Sequence, residues 1–370
     1  MKTRLPRLEF VDALTAITAV TSSRTPKPIL ECVQLATEGE AVQVAATDGE
    51  VSARLVVNAF KVEKRGAVVV PAERLLQIVR EMPDAEVRLE ADDRHCAIKG
   101  GRSEYRIFVR PAADFPAVPT FEEESDLAVD GHRLHRMVGL TLYAAARETS
   151  RYAINGVLWE KQGKRLYLVA TDGRRLARAG GPLAEARSAD FKVIVPSKAL
   201  SAFERVFVPG REAENWVIGA KVAPNQLILR SGERMLSTAL VEGTFPKYEE
   251  VVPAEATRRA KLNRLEFYGA VRRAALLTTD EARAVKLAFT KDLLVITSSS
   301  PEQGDARDEM AIEFEGEPLE IGFNPSFLGD ALKALTHEEV RIELTEGFRP
   351  GVLLGGDRDE FLYVVMPVAT

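Results

Sequence analysis

The chain has 370 residues, 46% of them hydrophobic, which is enough to bury two or three cores. Only two cysteines are present, which excludes a disulfide framework and a cysteine zinc site and is typical of a reducing cytoplasm. The net charge of −5 excludes a uniformly basic surface for nucleic acid. No apolar run reaches the roughly 18 residues of a membrane helix. Pro6, Glu9 and Asp12 interrupt the N-terminal apolar stretch, so we expect no export signal and a cytoplasmic protein.

Apolar residues at helical spacing predict six helices, and alternating apolar residues predict short strands between them. The predicted helices are Leu8–Ala19, Pro71–Glu81, Asp130–Arg151, Pro196–Val208, Asn263–Leu277 and Asn324–Thr336. The clearest predicted strands are 42–46, 51–57, 87–90, 166–170, 227–229 and 340–344.

An internal repeat organises these elements. The tetrad Ala46–Gly49 recurs as Ala170–Gly173, 124 positions later, and Phe115-Pro116 recurs as Phe245-Pro246 after 130 positions. A Val-Pro or Asn-Pro step precedes the second predicted helix of each copy. Landmarks at one common spacing predict three tandem copies of one module. The predicted modules are 1–121, 126–252 and 259–370.

Each module is predicted to be α+β, to open with an amphipathic helix and to pack two helices on antiparallel sheet. The Asp-Gly pairs Asp48-Gly49 and Asp172-Gly173 stand between alternating runs, which predicts hairpins whose two turn residues both tolerate positive φ. Prolines are expected at helix starts, where no backbone hydrogen bond is lost.

The sequence contains no recognisable catalytic motif: it has no Gly-rich phosphate loop, no paired metal-ligand set and no serine-nucleophile motif. His132 and His135 lie three apart and could form half a metal site, but a helix surface is the better interpretation. For Asp48 and Asp172 a turn role is favoured over acid catalysis. The acidic strip at Glu302, Asp305, Asp308 and Glu309 is interpreted as a charged loop or an interface edge.

Charge is segregated along the chain. The six predicted helices together carry +3, against −5 for the whole chain, although the first helix is acidic. Basic helices on an acidic body fit a protein that contacts DNA phosphates, and they equally fit ordinary solvated helix faces.

Several segments in this order resemble the bacterial DNA sliding clamp family, the beta subunit of DNA polymerase III, over essentially the whole chain. They are 24–30 (RTPKPIL), 111–116 (PAADFP), 151–156 (RYAING), 170–177 (ATDGRRLA), 321–324 (IGFN) and 363–367 (YVVMP). The resemblance implies a ring-shaped homodimer, closed head to tail, with helices lining a hole for double-stranded DNA.

The same resemblance implies a processivity factor that is not an enzyme, needs no cofactor or metal, and works in the cytoplasm at the nucleoid. Retention on DNA would be topological, without reading of base sequence. The implied partners are the DNA polymerase III alpha subunit and an ATP-dependent clamp loader, which dock short peptide motifs, together with other replication and repair proteins.

Three groups of residues match functional positions of the family. The implied DNA contacts are Arg24, Arg151 and Tyr152. The implied peptide pocket comprises Ile154, Thr171, Gly173, Arg175, Leu176, Pro246, Val251, Val364, Val365, Met366 and Pro367. The implied dimer interface joins Tyr105 and Ile107 to Leu276 and Leu277, flanked by Arg74 and Arg102 near Glu302, Asp305 and Asp308.

The chain departs from the family pattern at three places. Arg174 stands where histidine is frequent, the chain ends in 368–370 (VAT) rather than in basic and apolar residues, and Glu104 stands where a base is frequent. Two alternative functions remain open: a nuclease that uses acidic residues, and a repeat scaffold or decayed clamp paralogue that binds proteins without encircling DNA.

Overall fold

The computed structural model describes residues 1–21, 25–121, 124–146, 152–210, 215–279 and 284–369. The chain forms two compact units. Unit 1 comprises 1–135, 184–188 and 195–240, and unit 2 comprises 136–183, 189–194 and 241–370. Within the described residues, no helix is long and apolar enough to cross a membrane.

The elements follow one order three times: a short strand, a helix, several strands, a second helix and a final run of strands. The first third contains β1 (Lys2–Pro6), α1 (Arg7–Thr18), β2 (Cys32–Glu38), β3 (Ala41–Thr47), β4 (Val51–Asn58), β5 (Lys61–Lys64), β6 (Ala67–Pro71), α2 (Ala72–Glu81), β7 (Glu86–Ala91), β8 (His95–Gly100) and β9 (Ser103–Phe108). The middle third contains β10 (Leu127–Asp130), α3 (Gly131–Thr141), β11 (Gly156–Gln162), β12 (Arg165–Thr171), β13 (Arg175–Pro182), β14 (Glu185–Ala186), β15 (Phe191–Pro196), α4 (Ser197–Val206), β16 (Val217–Ala223), β17 (Gln226–Ser231) and β18 (Arg234–Ala239). The last third contains β19 (Arg258–Asn263), α5 (Arg264–Ala275), β20 (Val285–Phe289), β21 (Leu293–Ser300), β22 (Gly304–Ala311), β23 (Glu313–Glu315), β24 (Leu319–Phe323), α6 (Pro325–Ala334), β25 (Glu339–Leu344), β26 (Gly351–Leu354) and β27 (Phe361–Val365).

Unit 1 contains two antiparallel sheets. Five strands run in the order β5-β1-β7-β8-β9, and nine run in the order β14-β10-β16-β17-β18-β4-β3-β2-β6. The nine-stranded sheet joins strands of the first and middle thirds, because β18 pairs with β4 with Ser237 opposite Ser52. Helices α1 and α2 contact each other, and α1 packs on β3 and β4.

Unit 2 repeats this plan. Nine strands run in the order β15-β11-β12-β13-β27-β26-β25-β19-β23, and four run in the order β22-β21-β20-β24. Here β13 of the middle third pairs with β27 of the last third, with Leu176 opposite Val364. Helices α5 and α6 contact each other, and α5 packs on β21 and β22.

Apolar alternation and helix capping explain the local structure. In β25, Val340, Ile342 and Leu344 point inward and are buried, while the charged residues between them are exposed or partly exposed. The side chain of Asn263 caps α5, since its oxygen accepts hydrogen bonds from the backbone amides of Leu265 and Glu266. Asn324 caps α6 through one hydrogen bond, which its side-chain oxygen accepts from the amide of Ser326, and Pro325 occupies the first turn of that helix.

Three predicted details are wrong. Each module begins with a strand (β1, β10 or β19) rather than with a helix. The helix predicted over Asp130–Arg151 ends at Thr141 and is followed by a 3₁₀ turn at Leu142–Ala144. In the Asp-Gly turns only the glycine has positive φ, and no described non-glycine residue has it.

Candidate binding pocket

Unit 2 contains a cavity of about 420 Å³ beside the seam between β13 and β27. Four segments that are distant in sequence meet there: the 3₁₀ turn ending at Ile154, the β12–β13 turn, the stretch after Phe245 and the end of β27. The lining residues are Ala153, Ile154, Thr171, Gly173, Arg174, Arg175, Leu176, Pro246, Lys247, Tyr248, Val251, Val364 and Met366.

The floor of the cavity is apolar because it is the surface of a packed core. Leu176 and Val364 face each other across the seam and are each 2% exposed. They belong to one buried cluster with Ile154, Phe245 and Tyr248. At the mouth, Val251 and Met366 are 49% and 41% exposed, which leaves apolar surface available to a ligand. A mostly apolar concavity with a few polar groups is the usual form of a ligand site.

The β12–β13 turn holds one wall through bonds between side chains and backbone. The carboxylate Oδ1 of Asp172 accepts hydrogen bonds from the amides of Arg174 (2.9 Å) and Arg175 (3.1 Å). The hydroxyl of Thr171 donates to the carbonyl of Arg175 at 2.6 Å and accepts from the amide of Gly173 at 3.1 Å. Gly173 has a φ of +87°, which a side chain would strain. The turn is therefore fixed before any ligand arrives.

Arg175 is a buried cation with a full set of partners. Its guanidinium bonds to Asp172 (3.0 Å), to Asp330 (2.6 Å) and to the carbonyl of Tyr143 (2.8 Å). It also lies 4.5 Å above the ring centre of Phe327. Burial works against the charge, but the hydrogen bond to Asp330 and the neighbouring charges raise the pKa of Arg175 above its ordinary value. Arg175 is thus a structural part of the wall, with its charge already neutralised.

Tyr248 is held in the opposite wall by a buried carboxylate. Its hydroxyl donates to Glu160 at 2.6 Å, and the ammonium group of Lys192 binds the same carboxylate at 2.7 Å. Burial works against the ionised form of Glu160, yet the hydrogen bonds from Lys192 and Tyr248 lower the pKa of this carboxyl below its usual range. Burial, and then the bond to Glu160, raise the pKa of Tyr248, so its hydroxyl remains a donor.

The structure brings most of the sequence-predicted pocket residues to this one cavity. Val365 and Pro367 do not line it: Val365 is 2% exposed and pairs with Arg175 in the sheet. Sequence reasoning missed Ala153, Lys247 and Tyr248 as lining residues. The signal for Tyr248 was its place two residues after the repeated Phe-Pro step.

The predicted DNA contacts are Arg24, Arg151 and Tyr152. Arg24 and Arg151 lie outside the described residues, as does the side chain of Tyr152.

The predicted interface residues lie on exposed surfaces of both units. In unit 1, a cavity of about 1000 Å³ is lined by Arg74, Tyr105 and Ile107 among others, and Tyr105 is 46% exposed. Arg102 is exposed in the β8–β9 turn. Glu104 lies near two bases of its own chain, Lys99 at 3.8 Å and Arg106 at 3.5 Å.

In unit 2, Leu276 is 75% exposed at the end of α5, and Leu277 is partly exposed. The acidic strip lies nearby on β22 and the loop before it. Asp308 is bound to Arg273 of its own chain at 2.5 Å, whereas Glu302 and Asp305 are exposed.

A metal role for the two histidines finds no geometric support. His132 packs edge-on against Trp216, and His135 lies beside Phe203, so both rings contact aromatic neighbours. No group of three potential metal ligands occurs within the part of the chain that the structure describes.

Comparison with known proteins gives consistent matches along the chain. Models of the DNA polymerase III beta subunit match in succession: the N-terminal domain over residues 1–119, the central domain over 128–247 and the C-terminal domain over 249–369. The beta sliding clamp of Pseudomonas aeruginosa is 30% identical over 365 residues, which cover 98% of each chain. The beta sliding clamp of Caulobacter vibrioides is 31% identical over 376 residues, and both chains are fully covered.

Solved structures agree. The DNA polymerase III beta subunit of Pseudomonas aeruginosa matches with a TM-score of 0.91 at 30% identity, over 100% of both chains. The beta subunit of Thermotoga maritima matches with a TM-score of 0.92 at 26% identity, over 100% of this chain and 99% of the other. A Pseudomonas aeruginosa clamp bound to griselimycin matches with a TM-score of 0.93 at 30% identity, over 100% of both chains. The predicted fold class, three tandem α+β modules of the clamp type, is confirmed.

Proposed function

This chain belongs to the DNA polymerase III beta subunit family, the beta sliding clamps. From that premise we propose which of its surfaces bind peptides and which form the ring. It is a sliding clamp for DNA replication. Two copies close head to tail into a ring around duplex DNA, and the ring tethers the replicative polymerase. The chain has no catalytic centre of its own, and its boundaries between modules fall near residues 121–126 and 252–259.

The pocket in unit 2 is the docking site for short peptide motifs of the polymerase alpha subunit and the clamp loader. The observation that carries this assignment is the apolar floor under a rigid turn, with Val251 and Met366 exposed at the mouth. Hydrophobic anchors of an extended peptide would displace water from this floor. Val365 supports the site as a buried strand residue rather than as a contact.

The ring seam joins the β9 surface of one copy to the end of α5 of the other. Three features support it: Tyr105 and Leu276 are large apolar residues left exposed, Arg74 and Arg102 are basic, and Glu302 and Asp305 are acidic. An apolar centre with flanking charges is the usual composition of such an interface. Because Asp308 is engaged by Arg273, we assign the acidic contribution to Glu302 and Asp305.

Retention on DNA is the property to test first. The protein is loaded on nicked circular DNA by its cognate loader with ATP, and the mixture is separated by gel filtration at high salt. A topologically linked ring stays with the circle and leaves after linearisation, because screening of phosphate contacts does not open a closed ring. Loss from the intact circle, with a loader that is active on a reference clamp, would contradict ring closure.

The dimer interface of the ring is tested separately. Replacing Leu276 and Leu277 together by aspartate introduces two charges into the apolar centre, so we expect monomers in light scattering. Replacing the exposed Phe348 of unit 2 by aspartate is the matched control, and this variant stays dimeric. A Leu276/Leu277 variant that remains a dimer would place the seam elsewhere.

A further inference from the structure

We propose that a ladder of alternating charges on β9 and β22 selects the partner in the ring, so that a copy of this chain accepts one strand register and only a partner with the same order of charges. The inference rests on the ring proposed above and adds the residue pairs across its seam. The pairs, each joining one copy to the other, are Arg102 with Glu309, Glu104 with Arg307 and Arg106 with Asp305.

Among the described strands, β9 and β22 each have a sheet neighbour on one side only. β9 stands at one edge of the five-stranded sheet in unit 1, and β22 stands at one edge of the four-stranded sheet in unit 2. The two other sheets each contain nine strands, because a strand of one module pairs with a strand of the next. An edge strand is a template for a further strand. Pairing β9 with β22 of a second copy would complete a third sheet of nine strands.

Strand β9 corresponds to β18 of the middle third. Each strand follows a tight hairpin turn that contains a glycine with positive φ. The pairs that close the two hairpins are Gly100–Ser103 and Ser231–Arg234. Ser103 therefore matches Arg234, and each later residue of β9 matches the residue at the same step of β18.

Strand β22 corresponds to β4 and β13. The three strands share the dipeptide Ala-Arg, at 53–54, 177–178 and 306–307. Each forms a hairpin with the strand before it. In the pairing of β18 with β4, Leu236 lies opposite Ala53. Transferred to β9 and β22, this register places Tyr105 of one copy opposite Ala306 of the other.

The apolar residues fit this register. The counterparts of Tyr105 are Leu236 and Tyr363, each of which lies opposite an alanine and is 2% or 0% exposed, respectively. Tyr105 occupies the same place in its module, yet it is 46% exposed. A large side chain packs well against a small one directly across a strand pair. We therefore assign Ala306 of a second copy as the partner that buries Tyr105.

The same register sets opposite charges against each other. Every second residue over 102–106 and over 305–309 is charged and exposed, and the signs alternate along each segment. Successive side chains of a strand point to opposite faces, so each charged set lies on one face. With Tyr105 opposite Ala306, each charge on one segment faces the opposite charge on the other. Such cross-strand pairs stabilise a sheet, whereas like charges directly opposite destabilise it.

Within one copy, these charges are only weakly engaged. Glu104 lies 3.5 Å from Arg106, and the two side chains are 45% and 71% exposed. Arg307 lies 2.5 Å from Glu309, and these two are 62% and 48% exposed. Exposed ion pairs contribute little to stability. The side chains can therefore turn to partners across the ring seam at small cost.

Alternation of sign makes the ladder intolerant of slippage. A shift by one residue would bring the charged face of one strand beside the apolar face of the other. A shift by two residues would bring Glu104 opposite Asp305 or opposite Glu309, depending on its direction. A ladder of bases facing a ladder of acids would tolerate such a shift. The alternating ladder rejects it by repulsion, and it rejects a partner with the reverse order of charges for the same reason.

The test reverses one charge at a time in the full-length protein. Glu104→Arg sets two arginines against each other at both seams of the ring, and Arg307→Glu sets two glutamates against each other. We expect each variant alone to raise the Kd of the dimer by about tenfold or more at low salt, measured by sedimentation velocity. Glu40→Arg and Arg349→Glu change the same charges in exposed turns outside the ladder, and they should keep the Kd within about twofold.

Mixing the two ladder variants gives the decisive measurement. In a ring with one Glu104→Arg copy and one Arg307→Glu copy, a base faces an acid at both seams, so we expect mixed dimers in native mass spectrometry. The double variant Glu104→Arg/Arg307→Glu should form dimers with itself and exclude the wild type. A general loss of folding or of interface area would not produce this pattern.

A second set of variants makes the test independent of the folding of any one protein. Arg106→Glu and Asp305→Arg follow the same design at the neighbouring pair, and each should dimerise poorly alone and well when mixed with the other. If the wild type is a monomer, the ring proposal fails and this inference fails with it. If the wild type is a dimer but the single variants dimerise equally well, or neither mixture restores dimers, only the charge ladder is overturned.

Discussion

Units 1 and 2 contain the same Asp-Gly turn, made by the same bonds, with different consequences. In unit 1, Asp48 Oδ1 accepts from the amides of Glu50 (2.9 Å) and Val51 (2.8 Å), as Asp172 does for its own turn in unit 2. Thr47 and Thr171 each bond the carbonyl four residues ahead. Gly49 and Gly173 have φ values of +97° and +87°. The turn is therefore common scaffolding and does not by itself make a binding site.

What differs is the pair of residues behind the turn. Leu176 and Val364 of unit 2 correspond to Ser52 and Ser237 of unit 1, which also face each other across a seam between two strands. The two serines are buried and satisfied by polar neighbours: Ser52 donates to Thr47 at 2.8 Å, and Ser237 accepts from Gln226 at 3.0 Å. A ligand that covers the apolar pair gains binding free energy by removing apolar surface from water. A ligand that covers a hydrogen-bonded polar pair gains no such free energy.

The segment after the Phe-Pro step differs as well. In unit 1, Val118 packs onto the cluster of Cys32, Val69 and Phe115, and its carbonyl accepts from Arg54 at 2.9 Å. Its counterpart in unit 2 is Tyr248, whose hydroxyl is tied to Glu160 while its ring forms part of the pocket. A small residue that closes over the core has been replaced by a larger one that forms a wall.

Truncating the floor should give the largest effect. Leu176→Ala removes a fully buried side chain, so we expect the free energy of unfolding to fall by about 3 kcal/mol and peptide affinity by about tenfold. Its counterpart Ser52→Ala removes one neutral hydrogen bond and should cost about 1 kcal/mol, with peptide affinity unchanged. Urea denaturation and anisotropy measure the two quantities. Equal losses of affinity in both variants would contradict the contrast between the units.

Removing the buried cation comes next. Arg175→Met leaves Asp172, Asp330 and the carbonyl of Tyr143 without their donor, which should cost about 2 kcal/mol. Arg174→Gln is its neighbour on the exposed side and should change stability by less than about 0.5 kcal/mol. Thermal unfolding of the two variants compares them directly. A large loss in Arg174→Gln would show that its side chain has a structural role.

The shared turn predicts a shared effect. Gly49→Ala and Gly173→Ala each force a side chain into the left-handed region, at a cost of about 1 kcal/mol. No atom lies within 4 Å of a Cβ added at Gly49, so strain alone sets the cost there. Only Gly173→Ala should also weaken peptide binding, because Gly173 lines the pocket. Parallel calorimetry and anisotropy test both statements, and unequal melting shifts would show that the turns are not equivalent.

The smallest effect concerns pH. The pKa of Glu160 lies below its ordinary value of 4.5, so its contribution to stability is present above that pH and is lost as the pH falls toward the folded-state pKa. Glu160→Gln cannot titrate there, so its melting temperature should fall less than that of the wild type between pH 5 and pH 3.5, by about 1–2 °C. Identical acid profiles would show that folding leaves the pKa of Glu160 unchanged, which would contradict the lowered value.

The sequence predicted the order of elements well because the repeat supplied the same pattern three times. The sequence-based prediction failed where an element is determined by contacts with residues distant in the chain. Beyond Thr141, apolar spacing continues through Leu142 and Ala144, yet the helix ends there. The short opening strands β1, β10 and β19 are defined by distant partners such as β7, β16 and β25, which periodicity cannot reveal.

The pocket was predicted by matching residues to a family, and its chemistry needed the structure. Nothing in the order Arg174-Arg175 tells which arginine is buried, because Asp330 lies 155 positions away. The absence of Val365 from the lining follows from strand alternation, which places it on the face opposite its neighbours Val364 and Met366.

The sequence repeat and the compact units have different boundaries, because β4 pairs with β18 and β13 pairs with β27. The middle third of the chain contributes β16–β18 to one compact unit and β11–β13 to the other. A fragment excised at the linkers between the predicted modules 1–121, 126–252 and 259–370 would therefore leave two long strand edges without partners, and such edges seek new partners by aggregation. Proteolysis at the linkers should yield nicked, still associated pieces under native conditions, and insoluble ones once separated.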